Sequence, residues 1–195
     1  MSNYQREWRR RRARERIKKK QTKYIEDYKK QKIRSQNRRT EKSAYIAGII
    51  DGEGSIYLGI QKKRLFIPAI SISNNDEKML QFCKETLRFG YISKRKCNIS
   101  KNRPNHSWVH FIGKREDIVR VLIQVRPFLI TKQKQADLLF EYCVNRLEIR
   151  QPYTERDYEI YRELRILNKR NQGANLLSIT QLKNQIHYSS QKFRG

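Results

Sequence analysis

The fold is decided by the segment SAYIAGIIDGEGSIYLGI, residues 43–60. Ser43 is a helix-start residue, and Ala44, Gly48 and Gly52 then fall four apart, which on a helix puts them in one stripe. Ile46, Ile49 and Ile50 fall on other faces, where they can enter a core. Glycine inside a helix costs about 1 kcal/mol relative to alanine, so two at helical spacing in one short helix point to another backbone approaching closely. Two acids, Asp51 and Glu53, follow at the seam such a contact would create. Residues 55–61 then alternate: Ile56, Leu58 and Ile60 share one face, Ser55, Tyr57, Gly59 and Gln61 the other, the pattern of a half-buried strand.

Beyond this segment, residues 62–64 form a basic turn, and residues 65–73 read as the returning strand. Phe66, Pro68, Ile70 and Ile72 face one way and Ser71 and Ser73 the other, with Pro68 marking an edge or a bulge. Asn74, Asn75 and Asp76 make a turn and helix cap, and the helix that follows runs to about Phe89, where Gly90 stops it. Residues 91–95 and 107–112 are two further strands flanking a polar loop. A helix over 115–125 is broken by Arg126 and Pro127, and a longer one covers about 132–147. This order predicts an α+β domain over residues 43–150, a four-stranded antiparallel sheet with helices on one face in the order αββαββα. The other face carries Ser, Tyr, Gln, Lys and Arg, a saddle whose strands suit the major groove of DNA.

The 195 residues carry 45 Lys and Arg against 19 Asp and Glu, a formal net charge of +26. A charge of that size favours a polyanionic partner, nucleic acid ahead of an anionic membrane surface. No apolar run approaches the roughly 18 residues that span a bilayer, and no signal-peptide core is visible, so a soluble chain without a membrane partner is expected. Cys83, Cys97 and Cys143 are scattered and form no CxxC pair, which argues against a disulfide framework and a zinc site. Residues 1–42 are a basic arm with 18 Lys and Arg against 5 acids, read as a nucleic-acid clamp that is helical when bound. In the segment 151–195, a helix begins at Thr154 with Asp157 in capping-box position, and the chain after Gly173 reads as a featureless polar tail. The abundance of Lys, Ile and Asn suits an AT-rich coding genome such as an organelle's.

Residues 46–54, IAGIIDGEG, resemble the motif of the LAGLIDADG homing endonucleases and their maturase relatives, aliphatic for aliphatic, small for small and acid for acid. Residues 127–135, PFLITKQKQ, are similar to the segment that carries that family's active-site lysine. The resemblance implies a site-specific, metal-dependent double-strand DNA endonuclease. It gives Glu53 and the Gly52 carbonyl as ligands of Mg²⁺ or another divalent cation such as Mn²⁺, and Lys132, Asn74 and Lys78 as the surrounding catalytic residues. Only one such motif is present, so the resemblance also implies a homodimer that packs the Ala44, Gly48 and Gly52 stripes together over a nearly palindromic target. Asp51 reads as a structural acid at the helix end. Candidate DNA-contacting residues are Ser55, Tyr57, Gln61, Lys63, Arg64, Ser71, Ser73, Ser93, Arg95 and His110. The alternative reading is a maturase or a non-cleaving nucleic-acid-binding relative that holds intron RNA on the same surface.

Overall fold

The computed structural model describes residues 3–34, 41–61, 65–95, 107–147, 152–168 and 178–191. In chain order the elements are α1 (Asn3–Arg34), α2 (Glu41–Glu53), β1 (Gly54–Gln61), β2 (Leu65–Asn74), α3 (Glu77–Leu87), β3 (Tyr91–Arg95), β4 (Ser107–Ile112), α4 (Arg115–Val125), α5 (Gln133–Asn145), α6 (Glu155–Leu167) and α7 (Ile179–Gln191). A single 3-10 turn, Arg126–Phe128, joins α4 to the loop before α5. The α+β expectation and its strand order are met, with helix and strand ends within about two residues of those read from the pattern.

The strands form one antiparallel sheet in the order β1-β2-β4-β3. On one face Ile56, Leu58, Phe66, Ile70, Ile72 and Ile112 are buried against α2 to α6, joined by Leu80, Val121, Leu139 and Tyr142 from the helices. Pro68 lies in β2 opposite Leu58 of β1, whereas β4 pairs only with residues 70–74 of β2. One side of Pro68 is therefore free of a strand partner, which is the edge condition its missing N–H requires. In the same stretch the Phe66 amide donates to the Tyr153 hydroxyl at 3.0 Å, so a side chain takes the place of a neighbouring strand.

Two glycines are fixed by space. A Cβ at Gly54 would stand 2.7 Å from the Ile50 backbone, so the chain passes from α2 into β1 in a turn that admits no side chain. At Gly90, φ is +83° and a Cβ would meet the Phe111 carbonyl at 2.4 Å.

Within the basic arm, α1 is one long helix, and its second half packs on the body. Tyr24 is buried, Gln21 donates to the Val144 carbonyl at 2.9 Å, and Lys20 pairs with Glu116 at 2.8 Å. The Tyr28 ring stacks on Phe140 with centroids 3.7 Å apart, and its hydroxyl donates to Asp137 at 2.6 Å. Burial, and then that hydrogen bond, push the Tyr28 pKa up and keep it a donor.

At the other terminus α6 starts on the reciprocal capping box of Thr154 and Asp157. Asp157 also faces Arg146, whose guanidinium donates to the Pro152 carbonyl at 2.7 Å. The polar tail is not featureless: α7 buries Leu182 and Ile186 against the rest of the core. Ile179, Leu182 and Ile186, spaced three and four apart, were the sequence signal for it.

Candidate nucleic-acid interface and acid centre

Helix α2 buries Ile46, Ala47 and Ile50 and presents Gly48 and Gly52 outward. A Cβ at either glycine would find nothing within 4 Å, so the small-residue stripe is open among the described residues. A cleft runs beside it, lined by Ala44, Gly48, Asp51, Gln133 and residues 127–130. Two large apolar side chains stand exposed nearby on the same elements, Ile130 at 86% and Tyr45 at 57%.

The two acids of the segment divide sharply. The Asp51 carboxylate accepts from the Ile130 amide at 2.7 Å, the Thr131 hydroxyl at 2.9 Å and the Lys132 amide at 3.0 Å. It holds the loop that carries Lys132 against the end of α2, the structural role expected of it. Glu53, two residues on, is exposed and engages no partner among the described residues. The Lys132 ammonium donates to the Ile50 carbonyl at 3.0 Å and to the Asp51 carbonyl. The C-terminal end of a helix carries partial negative charge on its free carbonyls, and here a cation already caps two of them.

Asn74 and Lys78 lie at the same end of the sheet. Gly54 pairs with Ile72, so the last residues of β2 run past the helix end that bears Glu53. The Asn74 side chain accepts from the Asp76 amide at 2.8 Å, and the Asp76 carboxylate accepts from the Lys78 amide at 2.8 Å, a turn that starts α3. The Lys78 side chain is exposed.

The donor set suits one hard cation per chain in an open position. A free carboxylate and the adjacent Gly52 carbonyl stand at the negative end of a helix, and Mg²⁺ is commonly held by one or two carboxylates with the remaining oxygens from water and substrate. No group of three or more His, Cys, Asp or Glu side chains gathers into a closed cage among the described residues.

The open face of the sheet brings together Ser55, Ser71, Ser73, Ser93 and Arg95, with Tyr57 and Gln61 along β1. Register sets Ser55, Ser71, Phe111 and Tyr91 in one row across all four strands, and Ser73, Val109 and Ser93 in the next. Burial raises the Tyr57 pKa, against the opposing charge of Arg95. Tyr91 and Phe111, ring centroids 5.6 Å apart, add an aromatic pair that was missed in the sequence because both β4 faces carry apolar residues. Lys63, Arg64, His106 and Cys97 lie outside the described residues.

His110 is a correction. It pairs with Ile72 and Ile92, side chains of the helix-covered face, and is completely buried rather than set toward DNA. Its Nε2 donates to the Phe89 carbonyl at 2.7 Å, leaving Nδ1 without a partner. Burial lowers its pKa, so the neutral ring is the native form.

The open antiparallel sheet backed by helices is a fold shared with solved LAGLIDADG homing endonucleases. Residues 40–125 match the model of the LAGLIDADG-like domain. Similar solved structures include the archaeal intron-encoded homing endonuclease I-Vdi141I complexed with DNA. Its TM-score is 0.60 at 20% identity, over 79% of this chain and 98% of that one. I-CvuI in complex with its target in the presence of Ca has a TM-score of 0.58 at 14% identity, over 76% and 94%. The group I intron-encoded I-CeuI complexed with DNA has 0.54 at 18%, over 90% and 92%. No curated protein matches by sequence.

Proposed function

We propose that the chain is a site-specific endonuclease that cleaves double-stranded DNA by metal-dependent phosphodiester hydrolysis, acting as a homodimer. The observation that carries this reading is the division of labour at the end of α2. Asp51 is spent on fixing the loop of Lys132, and Glu53 is left exposed and unpaired among the described residues. An acid kept free on a surface meant for phosphates repels its partner unless a cation lies between them.

Glu53 and the Gly52 carbonyl hold the divalent cation, Mg²⁺ or Mn²⁺. When bound, the cation neutralises charge on the scissile phosphate and supplies an acidified water. The Lys132 ammonium, fixed by the carbonyls of α2, stands ready to stabilise negative charge beside the same acid. Asn74 and Lys78 border the site from the end of β2 and the start of α3. The open face of the sheet lies in the major groove, where Ser55, Tyr57, Gln61, Ser71, Ser73, Ser93 and Arg95 reach bases or phosphates.

One acid per chain serves one strand. The open stripe of Ala44, Gly48 and Gly52, with its exposed Ile130 and Tyr45, is covered by the same stripe of a second copy, which places two acids side by side over a nearly palindromic target. The similar solved structures named for their complexes with DNA support the choice of partner.

The test is Glu53→Gln, assayed on DNA spanning a candidate insertion site with and without Mg²⁺. Cleavage by the parent chain with Mg²⁺ and its loss in the variant, with DNA binding retained, is the expected result. A variant that still cuts removes Glu53 from the metal.

A further inference from the structure

The docking of α1 leaves an unused surface. Among the described residues, Lys20, Gln21, Tyr24 and Tyr28 anchor α1 onto α4, α5 and the 3-10 turn. Residues 5–16 are exposed at every position. Residues 5–19 carry nine Lys and Arg against two Glu and span about 22 Å at 1.5 Å per residue. This exposed segment continues the same helix beyond its anchored half.

The distribution of charge around the helix identifies its partner. At 100° per residue, Arg6, Arg10, Arg14 and Lys18 lie on one side, and Arg9, Arg12, Arg16 and Lys19 on the opposite side. A helix that lies on a membrane needs one apolar face, and none exists here: the large apolar residues are Trp8 and Ile17, and Arg12 sits over the Trp8 ring at 4.2 Å. A helix basic on both flanks fits a groove with phosphates on both walls. The B-form major groove, about 12 Å wide, admits an α-helix, whereas the A-form groove of duplex RNA is too deep and narrow.

We propose that residues 5–19 of α1 enter the major groove of B-form DNA as a second DNA-binding element, separate from the sheet. The chain then grips duplex DNA at two places. This inference stands whether or not the chain cleaves DNA.

Two full-length variants test it, Arg6, Arg10, Arg14 and Lys18→Gln, and Arg9, Arg12, Arg16 and Lys19→Gln. Affinity for a B-form duplex of mixed sequence is measured against salt concentration. If each of the four residues meets a phosphate, each variant lowers the slope of log affinity against log salt by about three to four. The pair Glu7→Gln and Glu15→Gln, which removes negative charge without removing a basic group, leaves the slope undiminished. Duplex RNA of equal length and phosphatidylserine vesicles show no difference between parent and variants.

A loss confined to one side of the helix overturns groove entry, as does an unchanged slope, or an equal loss on duplex RNA or vesicles. Arg95→Gln on the sheet separates this result from the endonuclease reading. If the sheet does not hold DNA, that variant leaves the slope unchanged while both arm variants still flatten it.

Discussion

At the scale of single residues, Asp51 and His110 carry testable consequences. Asp51→Asn leaves one acceptor where a carboxylate served three donors, and its new N–H₂ faces donors as well. The expected cost is about 2 kcal/mol, read as a lower melting temperature and faster exchange of the Ile130 and Lys132 amides. Unchanged exchange at those two amides shows that the loop is held by something else. His110 sets a pH dependence. Its pKa is lowered by burial, because a second proton on Nδ1 finds no acceptor. The stability that the neutral ring contributes is complete above the unfolded value near 6.5 and is lost as pH falls from there through the lowered native value. A stability profile flat between pH 7 and 5 at this position, judged by comparison with His110→Gln, contradicts that sign. The side to which His110 points was illegible in the sequence. In β4 both alternating sets are largely apolar, Trp108 and Ile112 against Val109 and Phe111, so periodicity marks the strand without saying which face is inside. Asp51, by contrast, was readable as structural from its place at the helix end, although the loop that supplies its donors was not.

At the scale of elements, α1 and α7 show where local pattern runs out. The strands and the helices that back them were legible because each buries one face and repeats at its own period. Helix α1 has no apolar stripe along its first half and docks through a few aromatic and polar side chains, which a charge count hides. The Tyr28 contact is the one to remove. Tyr28→Phe keeps the ring on Phe140 and deletes only the hydrogen bond to Asp137, whose carboxylate keeps its paired bonds from Arg126 at 2.8 and 2.9 Å. The expected loss is about 1–2 kcal/mol, seen as faster amide exchange over the docked half of α1 with the sheet unaffected. Protection that stays as it was assigns the docking to the stack alone.

At the scale of the whole molecule, the question is what covers the open stripe of α2. At Gly48 a Cβ has nothing within 4 Å among the described residues, so the isolated fold is expected to tolerate Gly48→Leu. In a homodimer packed on this stripe the same side chain separates the two backbones. Sedimentation is expected to give a dimer for the parent chain and a monomer for the variant, and a variant that remains dimeric puts the interface elsewhere. The spacing of two glycines raised the expectation of a second backbone packed closely on α2. That the space is empty within one chain required three dimensions.

The helix-to-strand turn at Gly54 has a consequence for how such a chain can change. Glu53 ends α2 and Gly54 begins β1 with no room for a side chain, so the backbone that carries the acid is fixed by packing beneath it. The outward residues of β1 to β4 alternate with that packing and take no part in it. Under the proposed function their identities can change, and with them the preferred DNA sequence, while the acid stays where it is. On the same reading, recognition is the changeable half of the molecule and the position of the acid the fixed one.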